Sequence, residues 1–206
     1  MSMRKLCVVV LAALALTAGL AQADPVDLAV NGGFETGNFD GWLLFPSAPD
    51  QITIVTPGAS GDYAACIDNM TPASGSVLKN ANVGIGTVEA GQAVTIEFDA
   101  RGAFAIGGVA FAEFFSEIDG GGVSASEILG GAPLAVNADP AVWTHFSFST
   151  VTGPDVSGGV TVQFGAITGA DPGSSAMLCV DNLTIVVDSV VPVETTTWSE
   201  LKNSFR

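Results

Sequence analysis

Residues 31–42, NGGFETGNFDGW, bring four glycines, three aromatic rings and two carboxylates together within twelve residues. Glycine permits tight turns and close backbone approaches, and the carboxylates of Glu35 and Asp40 are hard oxygen ligands of the kind that calcium prefers. Such a stretch is compatible with a ligand-binding loop, a metal site or the corner of a β-sandwich. The choice among these three depends on the elements that position the stretch.

Groups that could carry catalysis are sparse. His145 is the only histidine, and its place on the polar side of a strand predicts an exposed bystander. One histidine and the two cysteines beyond residue 23 cannot form a zinc site unless carboxylates complete it, and no nucleophile elbow or phosphate-binding glycine loop is present. Four carboxylates, those of Glu97, Asp99, Glu113 and Glu117, fall on strands that could border one sheet, as a glycosidase would require. Nothing distinguishes two of them from the other acids, so the sequence predicts a non-catalytic protein.

The first 23 residues have the pattern of a secretory signal peptide. Arg4 and Lys5 precede an apolar run at 6–20, and the small residues of AQA end at Ala23, so we expect cleavage before Asp24. The run is shorter than the ~20 residues of a membrane-spanning helix. The sequence therefore predicts an exported protein with no membrane span, secreted or at the cell surface, with a periplasmic location as the alternative.

The chain is strongly acidic, with a formal net charge of −15. Two of its six basic residues belong to the leader, so the exported part is more acidic still. Phosphate backbones and anionic membrane surfaces repel such a chain, which excludes nucleic acid as a partner. The same acidity favours solubility and the binding of cations such as calcium.

The remaining sequence predicts an all-β protein. Short alternating runs recur between clusters of Gly, Pro, Asp and Asn, as in an antiparallel sandwich or barrel. In VTIEFDA the side chains of Val94, Ile96 and Phe98 share one face and polar side chains share the other. The run FAEFF (111–115) could form an aromatic platform, but core packing is the expectation for apolar aromatics in strands. The runs are at 26–30, 41–45, 51–55, 62–67, 93–100, 107–118, 142–150, 159–167 and 176–187.

The texture changes after Asp188. Thr197 and Glu200 have the spacing of a capping box, and Trp198, Leu201 and Phe205 would share one helical stripe. We therefore divide the chain into a signal peptide (1–23), a sandwich domain (24–189) and a linker with a short C-terminal amphipathic helix (190–206). The tail could dock a partner, pack back on the sandwich or fray.

Five landmarks occur in an order that resembles a known superfamily. They are NGGFETGNFDGW, SGDYAACI, LKNANVGIGTVEAGQAVTIEFDAR, WTHFSFST and QFGAITGADPGSSAMLCVDNLTI. The chain resembles the galactose-binding-like jelly rolls of the carbohydrate-binding modules, families four, nine and twenty-two, and related secreted bacterial β-sandwiches. The resemblance covers about residues 26–187 and implies an antiparallel jelly-roll β-sandwich.

The resemblance also implies a structural calcium. Its ligands would be Glu35, Asp181 and backbone carbonyls near Ser60 and Gly61, because calcium takes six to eight hard oxygens. The alternative is a solvated Glu35 and an Asp181 that sits in a bulge and bonds backbone amides. In the same family the cysteine-bearing segments approach one another near the calcium, so Cys66 and Cys179 could form a disulfide; two buried thiols are the alternative.

Sugar binding is implied less directly. Modules of this family grip sugars with exposed Trp and Tyr rings, whereas Trp42 and Trp143 lie at family landmark positions where packing is expected, and Tyr63 is expected to be structural. The structural motif comprises Asn31, Gly32, Phe34, Trp42 and Trp143. We predict a non-catalytic module that binds a polysaccharide or cell-surface glycan. The alternative is a matrix or surface protein of the same fold without a sugar ligand, and the remote alternative is a glycoside hydrolase or lyase.

Overall fold

The computed structural model describes residues 24–188, which form two antiparallel sheets packed face to face. The six-stranded sheet has the order β3-β4-β11-β6-β9, with β1 paired to β11, and the five-stranded sheet has the order β2-β5-β10-β7-β8. The strands are β1 (Pro25–Asp27), β2 (Trp42–Phe45), β3 (Ile52–Val55), β4 (Ala64–Asn69), β5 (Gly75–Val83), β6 (Ala93–Ala105), β7 (Val109–Glu117), β8 (Val123–Ile128), β9 (Thr144–Val151), β10 (Val160–Ile167) and β11 (Ser175–Asp188), with one short 3-10 turn at Leu129–Gly131.

This architecture confirms the predicted all-β jelly-roll sandwich. Each run predicted as a strand overlaps an observed one, and a glycine-rich loop at 119–122 lies between β7 and β8. Gly120, Gly121 and Gly122 there all have positive φ, which only glycine adopts without steric cost. The predicted C-terminal helix and the signal peptide lie outside the described residues. Within residues 24–188, no helix has the length and apolar character needed to cross a membrane.

A line of aromatic rings runs from the opening loop into the core. Phe34 stacks on Trp42 at 4.8 Å between ring centroids, and Trp42 lies 6.3 Å from Phe164. Phe164 meets Phe98 edge to face at 4.8 Å, and Phe98 stacks on Phe146 at 5.2 Å. Burial of each large apolar side chain stabilises the fold by about 1.5–3 kcal/mol, so this line anchors the loop at 31–42 to both sheets.

A disulfide joins the two neighbouring strands β4 and β11. Cys66 and Cys179 face each other in the register of the pair, with their Cα atoms 3.9 Å apart. Both side chains are buried on the outer side of the six-stranded sheet, because the alternating residues Ala65, Ile67 and Leu178 point into the core. The bond closes a sequence separation of 113 residues.

Candidate metal centre and ligand surface

The opening loop is held in place by its own aromatic and amide groups. Trp42 is 5% exposed, and its Nε1 donates a hydrogen bond to the carbonyl of Asn31 at 3.0 Å. The side-chain amide of Asn31 donates to the carbonyls of Asn38 and Asp40, at 3.1 and 3.2 Å. Gly32 lies so close to the Leu183 carbonyl of β11 that a side chain there would collide with it. The glycine therefore lets the loop approach the middle of β11, two residues beyond Asp181.

Asp181 is a buried carboxylate at a bulge of β11. The pairing register between β11 and β6 shifts just after it, and the residue is 1% exposed. Its Oδ2 accepts hydrogen bonds from the amides of Ala59 (2.7 Å) and Ser60 (3.2 Å), and its Oδ1 accepts one from the Asn182 amide (2.7 Å). Burial raises the pKa of Asp181, because a carboxylate loses solvation in the interior, and these amide hydrogen bonds oppose the rise.

Glu35 reaches the same segment from the opening loop. Its carboxylate accepts hydrogen bonds from the amides of Asp62 at 3.2 Å and Tyr63 at 3.3 Å, and the side chain is exposed. Its negative charge also contributes to the raised pKa of Asp181. Both predicted carboxylates therefore accept hydrogen bonds from backbone amides of the segment 59–63.

The oxygens of this segment converge beside Gly58. A Cβ built on Gly58 would lie no more than 2.7 Å from three of them, namely the carbonyl oxygens of Ser60 and Tyr63 and Oδ2 of Asp181. Gly61 in turn lies against both oxygens of Glu35, at no more than 2.8 Å from its Cβ position. One carboxylate and two carbonyl oxygens gathered beside Gly58 are ligands of the kind that calcium takes, so these residues fit part of its donor set of six to eight oxygens.

Of the ligands predicted from the sequence, the Asp181 carboxylate and the Ser60 carbonyl meet beside Gly58, while Glu35 lies against Gly61; the Tyr63 carbonyl and the role of Gly58 were not predicted. The spacing in PGASGDY (57–63) was the available signal, since two glycines there permit close backbone approach. The contacts of the alternative are also present, because Glu35 is exposed and Asp181 sits at a bulge and accepts hydrogen bonds from backbone amides, so the calcium stays a prediction. Within residues 24–188 no cluster of three or more His, Cys, Asp or Glu side chains could hold a metal, so an ion here needs backbone carbonyls.

A polar network leads from the segment 59–63 across the outer side of the six-stranded sheet. The Ser60 hydroxyl donates to Oδ1 of Asn182, whose amide donates to Oδ2 of Asp99, both at 2.7 Å. His145 Nδ1 lies 3.1 Å from the other oxygen of Asp99, and the histidine side chain is 60% exposed. His145 is thus the exposed end of this network.

The prediction that four strand carboxylates could border one sheet is wrong. Glu97 and Asp99 lie on β6 in the six-stranded sheet, whereas Glu113 and Glu117 lie on β7 in the five-stranded sheet. All four alternate with buried residues and therefore point away from the core, on opposite sides of the sandwich. The alternation is visible in the sequence, but the sheet to which each strand belongs is set by pairing distant in the chain.

The run FAEFF divides between the core and the surface. Ala112 and Phe114 are buried in the core, while Phe111, Glu113 and Phe115 are half-buried on the outer side of β7. The expectation of core packing is therefore correct for Phe114 alone among its three phenylalanines. Together with outward side chains of β2, β5 and β10 they form a surface that we call the aromatic face, which comprises Phe45, Lys79, Phe111, Glu113, Phe115 and Gln163.

Polar groups cross the middle of the aromatic face. Lys79, Gln163 and Glu113 are paired in register across β5, β10 and β7, and the Gln163 amide donates to Glu113. The Lys79 ammonium lies 5.5 Å from the ring centres of both Phe45 and Phe115. Both rings therefore flank a charged row of hydrogen-bonding groups, and Phe45 is 52% exposed.

Trp143 lies outside the core. It precedes β9 and is half-buried on the outer side of the six-stranded sheet, where its ring packs on the guanidinium of Arg101 at 4.8 Å. Tyr63 is half-buried against the core, and its ring contacts Gly37 of the opening loop. Of the two tryptophans expected to pack, Trp42 therefore stabilises the core and Trp143 covers an arginine at the surface.

Comparison with solved structures shows that the fold of this chain is similar to that of several carbohydrate-binding domains. The CBM22-1 xylan-binding domain from Paenibacillus barcinonensis matches with a TM-score of 0.53 and 12% identity, over 82% of this chain and 98% of that one. The tandem CBM22-1–CBM22-2 domain of the same protein matches with a TM-score of 0.55 and 13% identity, over 88% of this chain and 50% of that one. The chain shares the jelly-roll fold of these modules.

The fold also occurs inside larger proteins. The enzymatically active domain of the bacteriophage CBA120 tailspike protein 4 matches with a TM-score of 0.57 and 14% identity over 78% of this chain. The chain spans 21% of that domain. No protein-family model and no curated protein matches the chain.

Proposed function

We propose that this chain is a secreted, non-catalytic module that binds a polysaccharide or cell-surface glycan through the aromatic face and is stabilised by a structural calcium. The observation that carries the sugar-binding part is the arrangement of Phe45, Phe111 and Phe115 around the polar row of Lys79, Gln163 and Glu113. Sugar rings have apolar C–H faces that pack on aromatic rings and hydroxyls that need hydrogen-bond partners, and this surface supplies both. The similarity in fold to a domain described as xylan-binding supports the proposal.

Binding can be tested with neutral polysaccharides and paired variants. We expect a neutral polysaccharide such as xylan or galactan to bind in affinity electrophoresis, and Phe111→Ala and Phe115→Ala each to weaken binding about tenfold or more, because aromatic anchors dominate such contacts. Trp143→Ala is the matched control, since it removes a half-buried ring from the opposite sheet. Failure of every neutral polysaccharide to bind, with the protein folded, would overturn this assignment and favour the matrix or surface-protein alternative.

The matrix alternative has a surface of its own. On the outer side of the six-stranded sheet, strands β6, β9 and β11 present small polar and β-branched side chains rather than aromatic rings. These are Thr95, Ser147, Ser149, Thr184 and Val186. A non-catalytic assignment is supported by the separation of Glu97 and Asp99 from Glu113 and Glu117 on opposite sides of the sandwich, and release of reducing sugar from a bound polysaccharide would contradict it.

Calcium would be held by Glu35, Asp181 and the carbonyls of the segment 58–63. Bound there, the ion would neutralise two carboxylates and fix the opening loop to β11 through ligands distant in sequence. At a calcium concentration of 100 times Kd we expect about 2.7 kcal/mol of stabilisation, or a rise in Tm of roughly 5–10 °C for a domain of this size.

The metal test compares melting with calcium and with a chelator. Asp181→Asn and Glu35→Gln should abolish the difference in Tm, whereas Glu89→Gln, an exposed residue in the turn between β5 and β6, should leave it unchanged. An equal Tm with calcium and with chelator in the unmodified protein would overturn the metal proposal while leaving the sugar test unaffected.

A further inference from the structure

A cavity lies on the sheet opposite the aromatic face. It has a volume of about 450 Å³, within the range of small-ligand sites, and it opens on the outer side of the six-stranded sheet. Four of its positions lie in one row across adjacent strands, because Thr53 pairs with Cys66, Cys66 with Cys179, and Cys179 with Arg101. We call it the arginine cavity; its lining comprises Thr53, Val55, Cys66, Asp68, Arg101, Pro140, Ala141, Met177 and Cys179.

The floor of the arginine cavity is rigid and apolar. The Cys66–Cys179 disulfide ties β4 to β11 at its centre, and Val55 and Met177 add aliphatic surface on either side. Strands lie about 4.8 Å apart, so the row from Thr53 to Arg101 spans roughly 14 Å across the sheet. The cavity is therefore wide enough for a saccharide and presents an apolar base on which a sugar ring can lie.

Arg101 is the cationic group of this cavity, and it lacks a protein acceptor. Its guanidinium packs on Trp143, yet none of its N–H groups donates a hydrogen bond within residues 24–188, and its Nε is shielded from solvent. No carboxylate oxygen of the described residues lies within ion-pair distance of Arg101. Lys79 likewise has no carboxylate partner within residues 24–188, but its ammonium lies against two aromatic rings, whereas the Nε of Arg101 is shielded from solvent and unpaired.

The chemistry of the remaining lining narrows the ligand. A guanidinium presents a planar fork that matches a carboxylate, and the indole of Trp143 restricts the orientation of that fork. Asp68 and Thr53 at the other side of the cavity can exchange hydrogen bonds with hydroxyls, whereas the Asp68 charge disfavours a second carboxylate inside the cavity. A ligand that fits this lining has one carboxylate and several hydroxyls on a compact ring, and a uronic acid is such a molecule.

We propose that the arginine cavity is a second binding site, which takes a uronic-acid residue of an acidic polysaccharide. The terminal nitrogens of Arg101 donate hydrogen bonds to the carboxylate, and the sugar ring lies over the disulfide and Met177. The sugar hydroxyls form hydrogen bonds with Asp68 and Thr53. The site is separate from the aromatic face, since the two lie on opposite sides of the sandwich. It therefore holds whether or not the aromatic face binds a neutral glycan.

The test is calorimetric titration of the full chain with trimers of galacturonate, glucuronate and mannuronate, each beside its neutral hexose counterpart. We expect at least one acidic trimer to bind and its neutral counterpart to bind at least tenfold more weakly. Arg101→Gln should weaken binding of the acidic trimer about tenfold or more, Arg101→Lys should lie between, because it retains the charge without the fork, and Trp143→Ala should also weaken it.

Two controls separate this site from its alternatives. Lys79→Gln removes the other basic residue of residues 24–188, on the opposite sheet, and should leave binding of the acidic trimer unchanged, as should Phe111→Ala. A melting curve for each variant establishes that it is folded. The proposal is overturned if no acidic trimer binds at millimolar concentration, if Lys79→Gln rather than Arg101→Gln abolishes binding, or if inorganic phosphate displaces the trimer at equal concentration.

Discussion

Asp181 combines deep burial with a network of backbone donors, and its titration is coupled to folding. Burial raises the pKa of Asp181 above its ordinary value of 3.8, with Glu35 as a further contributor. The folded state therefore binds this proton more tightly than the unfolded state does. Stability from this group is present below pH 3.8 and is lost as the pH rises towards the raised pKa of the folded protein.

We therefore expect the calcium-free protein to lose stability as the pH rises from 4 towards neutrality. Urea unfolding with a chelator measures the free energy of unfolding at each pH, and Asp181→Asn should show a smaller decline because it cannot titrate. Saturating calcium should reduce the decline in the unmodified protein, since the cation stabilises the ionised carboxylate. Parallel pH profiles for the two proteins would contradict this coupling.

Gly58 shows why the site depends on a residue without a side chain. A methyl group at this position would lie within 2.7 Å of Oδ2 of Asp181 and at least as close to two carbonyl oxygens. We expect Gly58→Ala to lower the free energy of unfolding by about 1–3 kcal/mol, because rigid backbone must move, and to reduce the calcium-dependent rise in Tm. Urea unfolding with and without calcium measures both effects.

The matched control is Gly165→Ala. A Cβ at Gly165 of β10 would have its nearest contact at 3.6 Å, an ordinary van der Waals distance. We expect this variant to change the free energy of unfolding by less than about 1 kcal/mol and to retain the full response to calcium. If the two variants lost equal amounts of unfolding free energy and of calcium response, the close oxygen contacts of Gly58 would not be what makes that position sensitive.

At the scale of elements, the sequence predicted the strands whose inward positions are apolar and missed two others. β5 was missed because two of its inward side chains, Ser76 and Asn80, are polar, although both are fully buried. Asn80 is satisfied by hydrogen bonds with the amide and carbonyl of Val30 and the carbonyl of Gly41, partners that only the folded chain supplies. β8 was missed because, as an exposed edge strand, it has no clear alternation.

The candidate site was predictable to the extent that it follows from the strand period and motif order. The resemblance predicted that Glu35 and Asp181 meet and that Cys66 could bond Cys179; the structure brings both carboxylates to amides of residues 59–63 and shows the disulfide, while the metal stays a prediction. The aromatic face could not be assembled from sequence, because Phe45, Lys79 and Phe111 come from three strands whose adjacency depends on long-range pairing. The sequence pattern shows which side chains share a face of one strand, but not which strands are neighbours.

The disulfide between Cys66 and Cys179 fixes one long-range strand pair, β4 and β11, covalently. The bond spans 113 residues, and the chain-entropy model assigns such a loop about 3–5 kcal/mol of stabilisation through the unfolded state. We expect Cys66→Ala/Cys179→Ala to lower the free energy of unfolding by that order, as measured in guanidinium under non-reducing conditions. A reductant should lower the stability of the unmodified protein similarly and leave the double variant unchanged; a reductant effect that persists in the double variant would contradict the assignment.

At the scale of the whole molecule, the two proposed sites lie back to back. The aromatic face covers the five-stranded sheet and the arginine cavity opens on the six-stranded sheet, with a sheet spacing of about 10 Å between the two backbones. A polysaccharide lying along one face cannot reach the other without turning around the edge of the sandwich. If both sites bind as proposed, one copy of the chain engages two polymers rather than two segments of one.

This geometry predicts that the protein bridges a neutral polysaccharide and an acidic one. Dynamic light scattering should show a larger hydrodynamic radius when the protein is added to a mixture of galactan and polygalacturonate than when it is added to either polymer alone. Phe111→Ala and Arg101→Gln should each abolish the increase, because each removes one of the two contacts. An increase with a single polymer would reveal self-association of the chain instead, and an increase that persists in either variant would show that the two faces do not act as the two ends of a bridge.

The Arg101 contact should weaken at high salt while the aromatic contact persists, since only the former depends on charge.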